Sequence, residues 1–212
     1  MTQTPPNLQV LGPPLIQDKL SRARAKDTPT PEFRRLLHEI AALMAYEVAA
    51  DLPTEELPVQ TPLETMQGPR ITAKVTLVPI LRAGLGMTEG IRALIPDARV
   101  GHVGLYRDES TLEPVSYYEK LPADVADSFV LVVDPMLATG GSASAAVQRL
   151  KDKGCDRIRL VCLVVAPEGV LRMYEQHPDV RIHAAALDRQ LDERGYILPG
   201  LGDAGDRIFG TL

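Results

Sequence analysis

The sequence predicts an α/β fold, with a central, mostly parallel sheet covered by helices on both faces. Apolar runs of strand length alternate with segments of helical periodicity between Lys74 and Leu187. Two Gly-rich turns, 81–86 and 135–142, each follow one of the apolar runs. Ligands of such sheets bind at the carboxyl ends of the strands, so these turns also predict where a site lies.

The N-terminal part of the chain predicts an arm, a helix and a connection. Residues 1–30 are rich in Pro, Thr and Gln, which favours an extended arm. A helix is predicted over 31–52, with Thr30 as its N-cap and Pro31 in its first turn. Residues 53–72 are polar and Pro-rich, which favours a connection or a small hairpin.

The remaining elements follow from hydrophobic periodicity and from the position of Gly and Pro. The predicted strands are 75–80, 99–106, 129–134, 157–166 and 180–187. The predicted helices are 87–94, 142–153 and 167–176. A long polar loop is predicted over 107–119.

Composition restricts the class of protein. The chain has 212 residues, of which 45% are hydrophobic and 24% charged, as expected for one globular domain. The net charge of −5 gives no general attraction to nucleic acid or to an anionic membrane, and neither is expected as a partner. The first 15 residues lack the pattern of a signal peptide, and no apolar run reaches membrane-spanning length. A cytoplasmic protein is therefore expected.

The segment from Val130 to Ser142 predicts a phosphate site. An apolar strand ends at Asp134, and a turn of small residues leads into a helix. A helix N-terminus offers unpaired N–H groups, glycines allow a close approach, and Thr139 and Ser142 add hydroxyl groups. We call residues 134–142 the phosphate cradle. The segment has neither a Walker lysine nor a GxGxxG pattern, so neither a P-loop nor a dinucleotide-binding fold fits. The alternative is an ordinary Gly-rich turn with a helix cap, since such turns are common.

The cradle resembles the motif by which type I phosphoribosyltransferases bind phosphoribosyl pyrophosphate (PRPP). That motif commonly has two adjacent acids, whereas this chain has Asp134-Pro135, which is similar to the uracil phosphoribosyltransferase branch. Three further segments resemble the pyrophosphate loop, the flexible loop and the uracil-binding hood of that branch, namely Val78–Met87, Tyr106–Pro114 and Gly195–Asp206. The resemblance runs from about Leu15 to the C-terminus. It implies a single domain of the type I fold, with residues 1–30 as the arm and 188–212 as the hood.

The resemblance also implies the role of individual residues. The residues that would hold the ribose and the 5′-phosphate of PRPP are Asp134, Pro135, Met136, Leu137, Ala138, Thr139, Gly140, Gly141 and Ser142. The pyrophosphate end would be bound by Arg82 and Arg107, and Asp203 would also contact PRPP. The residues that would recognise uracil, largely through backbone groups, are Ile197, Gly202, Asp203 and Ala204. The residues expected to act in catalysis are Asp134, Arg107 and Asp203.

Each of these roles has a structural alternative. Arg82 follows a predicted strand, where a cation can meet an anionic ligand, but it can also be an ordinary surface arginine. Arg107 opens a loop of lid-like length, although arginines in loops are commonly solvated. The Gly-rich C-terminal stretch can be a flexible tail, but its interleaved apolar residues favour docking. No role is predicted for the four histidines, and Cys155 and Cys162 are predicted to be structural.

The implied reaction joins uracil to the ribose phosphate of PRPP and gives UMP and pyrophosphate. Mg²⁺ is the implied cofactor, carried on PRPP because the sequence has no cage of protein ligands. The uracil N1 proton has two candidate acceptors, Asp203 and a pyrophosphate oxygen. A homodimer or larger homo-oligomer is expected, and the resemblance allows GTP as an effector. The alternatives are an RNA- or DNA-binding regulator that senses PRPP or UMP, and a transferase for another base such as orotate or a purine.

Overall fold

The computed structural model describes residues 5–107 and 114–211, without the side chains of Tyr106, Arg107 and Pro114. In these ranges the strands are β1 (Leu8–Val10), β2 (Thr54–Gln60), β3 (Thr65–Ile71), β4 (Val75–Leu81), β5 (Arg99–Val100), β6 (His102–Arg107), β7 (Pro114–Lys120), β8 (Phe129–Val133), β9 (Met136–Leu137), β10 (Ile158–Val165), β11 (Arg181–Leu187), β12 (Gln190–Leu191) and β13 (Ile197–Leu198). The helices are α1 (Pro14–Arg24), α2 (Thr30–Val48), α3 (Leu85–Leu94), α4 (Gly141–Asp152), α5 (Pro167–Gln176) and α6 (Ala204–Phe209). A 3₁₀ turn spans Val125–Asp127.

The central sheet is nine-stranded and mostly parallel, as the sequence predicts. Its strand order is β1-β11-β10-β8-β4-β6-β7, with β5 paired to β4 and β9 paired to β10. The pairing of β6 with β7 is antiparallel, whereas the other ladders of this sheet are parallel. The strands β4, β8 and β10 are nearly continuous apolar runs because both of their faces are covered.

Two apolar cores cover the two faces of the sheet. Along β10, Val161 and Leu163 belong to one core, and Leu160 and Cys162 belong to the other. The first core is completed by α1, α2, α3 and α6, and the second by α4 and α5. The helices therefore lie on both sides of the sheet, which leaves the ends of the strands as the place for a site.

The prediction of an extended arm over residues 1–30 is wrong for its described part. Residues 8–10 form β1, which extends the sheet beside β11, and residues 14–24 form α1. Prolines 13 and 14 favour an extended chain in isolation, but proline is also accepted in the first turn of a helix. The helix buries Ile16 and Leu20, so it is part of the core.

Other boundaries also differ from the sequence-based predictions. Residues 114–119, predicted as part of the loop 107–119, lie in the edge strand β7, whose polar sequence and initial proline suit an edge. Thr30, predicted as an N-cap, is the first residue of α2, and Pro29 stands at the cap position. The polar segment 53–72 does form a hairpin, β2–β3.

Candidate active site

Strand register brings two of the predicted site loops to one edge of the sheet. Pro79 of β4 pairs with Val133 of β8, so the loops after these strands begin side by side. In β6, Gly104 pairs with Leu81, which places the backbone of Arg107 beyond the carboxyl end of β4. The side chain of Arg107 and residues 108–113 lie outside the description. The binding of pyrophosphate by Arg107 thus stays a prediction. Its backbone lies at the same edge of the sheet as the other predicted site loops.

The phosphate cradle leaves β8 and continues along β10 before it enters α4. The carbonyl of Pro135 accepts hydrogen bonds from the N–H groups of Leu163 (3.1 Å) and Val164 (3.1 Å), and the Ala166 N–H donates to Leu137 (2.9 Å). Gly140 then takes a positive φ of 78° immediately before the first residue of the helix. That conformation suits glycine, and the N–H groups of the first helical turn that follows have no partner within the helix.

Helix α5 packs directly against the cradle. A Cβ atom built on Gly169 would lie 2.3 Å from the carbonyl oxygen of Ala138, closer than any side chain can fit. Gly140 has the reciprocal restriction, because its Cβ would lie 3.0 Å from the Gly169 carbonyl. The cradle is therefore fixed between the end of β8 and the first turn of α5.

Asp134 lies at the junction between β8 and the cradle. The residue as a whole is half-buried, but its carboxyl group is surrounded by protein. Desolvation raises the pKa of Asp134 to about 7, and the hydrogen bond that its Oδ1 accepts from the Met136 N–H (3.3 Å) acts in the opposite direction. The cradle thus contains an acid that can change protonation state near neutral pH.

The turn after β4 presents Arg82 to the same edge. A Cβ atom on Gly84 would lie 2.3 Å from the Val133 carbonyl oxygen, so this turn folds tightly against the end of β8. The peptide bond between Leu81 and Arg82 is cis. The Arg82 side chain is 57% exposed, lies 3.4 Å from Asp206 and stacks over the ring of Phe209 at 5.6 Å. Its guanidinium group is therefore accessible to a ligand.

A buried ion pair holds the hood, residues 188–212, on the body of the protein. Arg24 of α1 makes two hydrogen bonds to the carboxylate of Asp188, at 2.6 and 2.8 Å, and donates a third to the carbonyl of Gly200 at 2.8 Å. The Gly200 N–H donates to the same Asp188 carboxylate at 2.9 Å. We call the contacts among Arg24, Asp188 and Gly200 the hood clamp.

The predicted uracil-binding residues lie in the turn that the hood clamp fixes. Ile197 belongs to β13 and its side chain is buried in the first core, which leaves its backbone for recognition. Gly202 has a φ of 71° and is exposed, and Ala204 is buried at the start of α6. Asp203 caps α6 by accepting a hydrogen bond from the Asp206 N–H at 2.9 Å. Helix α6 is short and Gly-flanked, and the sequence did not predict it.

The hood lies next to both site loops. A Cβ atom on Gly195 would lie 3.7 Å from the methyl group of Thr139 in the cradle. A Cβ on Gly205 would lie 3.9 Å from Ala83 in the turn after β4. Glu168 of α5 accepts a hydrogen bond from the Leu191 N–H at 3.0 Å, which fastens the start of the hood. The cradle, the turn of Arg82 and the hood therefore lie next to one another.

Sequence reasoning missed the residues that hold the hood in place. Arg24 and Asp188 are 164 residues apart, and nothing in the local sequence around either one indicates the pairing. Arg207 was missed for the same reason. Its guanidinium donates to Leu201 (2.8 Å) and Ala25 (2.7 Å) and stacks over Phe33 at 4.0 Å.

Two of the histidines, His177 and His183, are buried in the packing of the fold. His177 is buried at the end of α5, where its Nε2 contacts the hydroxyl of Ser144 at 3.0 Å. His183 is buried in β11, and desolvation lowers its pKa to about 4. Both rings therefore favour the neutral form and contribute to packing.

Two kinds of feature are absent from residues 5–107 and 114–211. No group of three or more His, Cys, Asp or Glu residues there could hold a metal ion. No helix in the same ranges is both long and apolar enough to cross a membrane.

The fold is that of the type I phosphoribosyltransferases. A hypoxanthine-guanine phosphoribosyltransferase from Bacillus anthracis superposes with a TM-score of 0.53 over 75% of this chain and 80% of its own, at 10% identity. A structure of the AQ2163 protein from Aquifex aeolicus superposes with a TM-score of 0.92 at 36% identity, covering 96% of this chain and 98% of that one.

Sequence comparison narrows the class further. The family model described as uracil phosphoribosyltransferase matches residues 10–211. A uracil phosphoribosyltransferase from Streptococcus uberis is 58% identical over 204 residues, which are 96% of this chain and 98% of that protein. The chain belongs to the uracil phosphoribosyltransferase family.

Proposed function

We propose that this protein transfers the 5-phosphoribosyl group of PRPP to N1 of uracil, giving UMP and pyrophosphate. The observation that carries this proposal is the position of the hood, which lies next to Thr139 of the phosphate cradle and whose Asp206 lies 3.4 Å from Arg82. The proposed anion site, a cationic side chain and the proposed uracil-binding turn thus share one edge of the sheet.

The cradle is the proposed binding site for the ribose and the 5′-phosphate. The N–H groups at the start of α4 and the hydroxyls of Thr139 and Ser142 are donors suited to a phosphate. Asp134, at the end of β8, is the proposed acceptor for the ribose hydroxyls. Ionisation of its carboxyl group is opposed by burial, and hydrogen bonds donated by a bound sugar would favour the ionised form.

The pyrophosphate end is assigned to Arg82 and Arg107. The exposed guanidinium of Arg82 is free to exchange its 3.4 Å contact with Asp206 for a ligand that carries several negative charges. Stabilisation of the leaving pyrophosphate is the main chemical task, because the electron pair of the breaking bond stays on pyrophosphate while positive charge develops on the ribose.

Uracil recognition is assigned to the backbone around Ile197 and Gly202–Ala204. Uracil offers two carbonyl and two N–H groups, which match the peptide groups of a rigid turn. The hood clamp supports this assignment, because it fixes the turn before any ligand binds. The proton on N1 goes either to Asp203 or to a pyrophosphate oxygen, and both acceptors stay open.

Mg²⁺ is proposed as the cofactor, bound to oxygens of PRPP. The chain's own group suited to it is the carboxyl of Asp134, the acidic residue at the cradle. When bound, Mg²⁺ supplies positive charge that stabilises the leaving pyrophosphate. Asp134 would orient the ribose hydroxyls next to it.

A homo-oligomer is proposed on the basis of the β2–β3 hairpin. Leu63 at its tip is 94% exposed, and Met66 and Ile71 are about half exposed, at 49% and 52%. These exposed apolar side chains lie along one hairpin, from its tip to its base, and support an interface with another copy of the chain. A GTP effector and a cytoplasmic location also stay predictions, which activity measurements with and without GTP and imaging of a tagged protein would test.

The proposed reaction is tested by incubating the protein with PRPP, Mg²⁺ and labelled uracil and measuring both UMP and pyrophosphate. We expect equal amounts of the two products. Asp134→Asn should lower kcat at least about tenfold because the acceptor for the ribose is weakened. Arg82→Ala should raise the KM for PRPP more than the KM for uracil. An increase confined to the uracil KM would show that the site is divided differently.

A further inference from the structure

The phosphate cradle has no positively charged side chain of its own. Residues 134–142 contain neither Lys nor Arg, and their charged residue, Asp134, has the same sign as a phosphate. Neutral N–H and O–H donors bind a phosphate dianion, but a cation close to the donors strengthens that binding. A cationic side chain from another element is therefore expected near the cradle.

Helix α5 supplies such a side chain at Arg172. This residue lies three positions after Gly169, so both are on the same face of the helix. Gly169 is the residue pressed against the carbonyl of Ala138 in the cradle. The position of Arg172 next to the cradle is thus fixed by backbone packing and not only by its own flexible side chain.

The side chain of Arg172 follows the cradle toward the start of α4. A Cβ atom built on Gly140 would lie 3.3 Å from the Cβ of Arg172. A Cβ on Gly141 would lie 3.5 Å from the Nη1 atom of Arg172 and 3.8 Å from the hydroxyl oxygen of Thr139. The guanidinium group and the Thr139 hydroxyl therefore border the same point at the N-terminus of the helix.

The guanidinium of Arg172 has no competing partner in the described part of the chain. The residue is half-buried, yet no hydrogen bond or ion pair of its side chain is found among the residues that the structure describes. By contrast, the guanidinium groups of Arg24 and Arg207 donate hydrogen bonds to Asp188 and to the Leu201 carbonyl of the hood. Arg172 is thus available to a ligand in the cradle.

We propose that Arg172 binds the 5′-phosphate of PRPP and of UMP and is a positioning residue for the reaction. This inference rests on the proposed placement of the 5′-phosphate in the cradle. The planar guanidinium can donate two parallel N–H groups to a phosphate, while the N–H groups of α4 and the Thr139 hydroxyl bind its other oxygens. The residue lies away from the breaking bond, so it acts on ligand affinity and not on the chemical step.

Arg172→Gln and Arg172→Lys test this proposal with two inhibitors that compete with PRPP. Ribose 5-phosphate probes the 5′-phosphate site, and pyrophosphate probes the other end. We expect Arg172→Gln to raise the inhibition constant of ribose 5-phosphate and the KM for PRPP about tenfold, as is typical for a lost charged hydrogen bond. The inhibition constant of pyrophosphate, the KM for uracil and kcat should change less than about twofold. Arg172→Lys should recover part of the loss, because it keeps the charge but not the planar geometry.

Two further variants separate the possible failures. Arg22→Gln removes an exposed arginine of α1 and should leave all these constants unchanged. Thr139→Val removes a hydroxyl of the cradle and should also weaken ribose 5-phosphate. If Thr139→Val has this effect and Arg172→Gln does not, the inference about Arg172 is wrong while the cradle stands. If neither variant weakens inhibition by ribose 5-phosphate, the inference is overturned. It is also overturned if Arg172→Gln weakens inhibition by ribose 5-phosphate and by pyrophosphate equally. Failure of the wild-type protein to form UMP would instead overturn the proposed function.

Discussion

At the scale of single residues, Asp134 shows how the fold sets the chemistry of a side chain. It follows directly after four buried residues of β8, so its carboxyl group has little contact with water. The pKa of about 7 that results from this desolvation means that folding favours the protonated acid over a range in which an unfolded aspartic acid is ionised. The protein therefore carries a stability cost at the position that is proposed to orient the ribose.

This cost predicts a pH dependence of stability. Between about pH 4 and pH 7 the native state keeps a proton on Asp134 that the unfolded state has lost, so the free energy of unfolding falls as the pH rises through that range. The side chain introduced by Asp134→Asn does not titrate, so it adds no such pH dependence to the free energy of unfolding. Urea denaturation should show that the variant gains about 2–3 kcal/mol relative to the wild type between pH 5 and pH 8. If the free energy of unfolding of the variant relative to the wild type is the same at pH 5 and at pH 8, the Asp134 carboxyl is solvated.

The position of Asp134, Thr139 and Arg82 at the ends of neighbouring strands could be predicted from the sequence, but the residues that support them could not. Asp134, Thr139 and Arg82 lie in short motifs in which an apolar strand precedes a turn of small residues. Arg24 and Asp188 are far apart in the sequence and carry no local signal. Arg172 was missed for the same reason, since only the packing of Gly169 on Ala138 brings α5 to the cradle.

At the scale of elements, the hood depends on the ion pair between α1 and residue 188. The Asp188 side chain is only 5% exposed, and Arg24 is 22% exposed. Removing one partner of such a pair leaves a buried charge uncompensated, which costs more than the pair itself contributes. The position of the uracil-binding turn is therefore coupled to α1.

Arg24→Ala should lower the free energy of unfolding by about 2–4 kcal/mol and raise the KM for uracil more than the KM for PRPP. Chemical denaturation and steady-state kinetics would measure the two effects. Arg22→Ala is the matched control on the same helix: its side chain is 63% exposed and its pair with Asp18 is on the surface, so the change should stay below about 0.5 kcal/mol. Adding Asp188→Asn to Arg24→Ala removes the unpaired carboxylate and should recover part of the lost stability. A double variant that is less stable than Arg24→Ala would contradict the proposed cost of the unpaired Asp188 charge.

The contact between α5 and the cradle makes a second prediction at this scale. Gly169→Ala places a Cβ 2.3 Å from a backbone oxygen of the cradle, so helix and cradle must separate. We expect a loss of about 2–4 kcal/mol in stability and a higher KM for PRPP. Gly12→Ala is the control, because its Cβ would have no atom within 4 Å and both quantities should stay unchanged. Equal stability of the two variants would show that α5 does not restrain the cradle.

Prediction of the elements succeeded where burial dominates the sequence. The strands β4, β8 and β10 were predicted because both of their faces are covered and their residues are almost all apolar. The elements that were missed lack this signal. Helix α1 begins with prolines, β7 is a polar edge strand, and α6 is six residues long between glycines. Their conformation depends on what they pack against.

At the scale of the whole molecule, the two apolar cores and the candidate site lie in different parts of the fold. The cores fill the space above and below the sheet, and the site lies beyond the carboxyl ends of its strands. The β2–β3 hairpin lies outside both cores, with an exposed apolar tip. Surface of this kind is expected to be covered by another copy of the chain.

The hairpin predicts an effect on molecular mass in solution. Replacing Leu63 and Met66 together by Glu introduces charges at exposed positions of the hairpin, which should weaken an apolar interface without loss of fold. Light scattering coupled to gel filtration should give a mass above 23.1 kDa for the wild-type protein and a shift toward that monomer mass for the variant. A wild-type mass of one chain would contradict the proposed oligomer.

The central claim is that one edge of the sheet binds PRPP while the hood selects uracil. The most direct measurement is nucleotide formation by the purified protein with PRPP and Mg²⁺ and, in separate reactions, uracil, cytosine, orotate and hypoxanthine. The account predicts UMP from uracil and no nucleotide from the other three bases, since the backbone of the hood matches only the uracil edge. Comparable product from orotate or hypoxanthine, or no product from uracil despite measurable binding of PRPP, would contradict it.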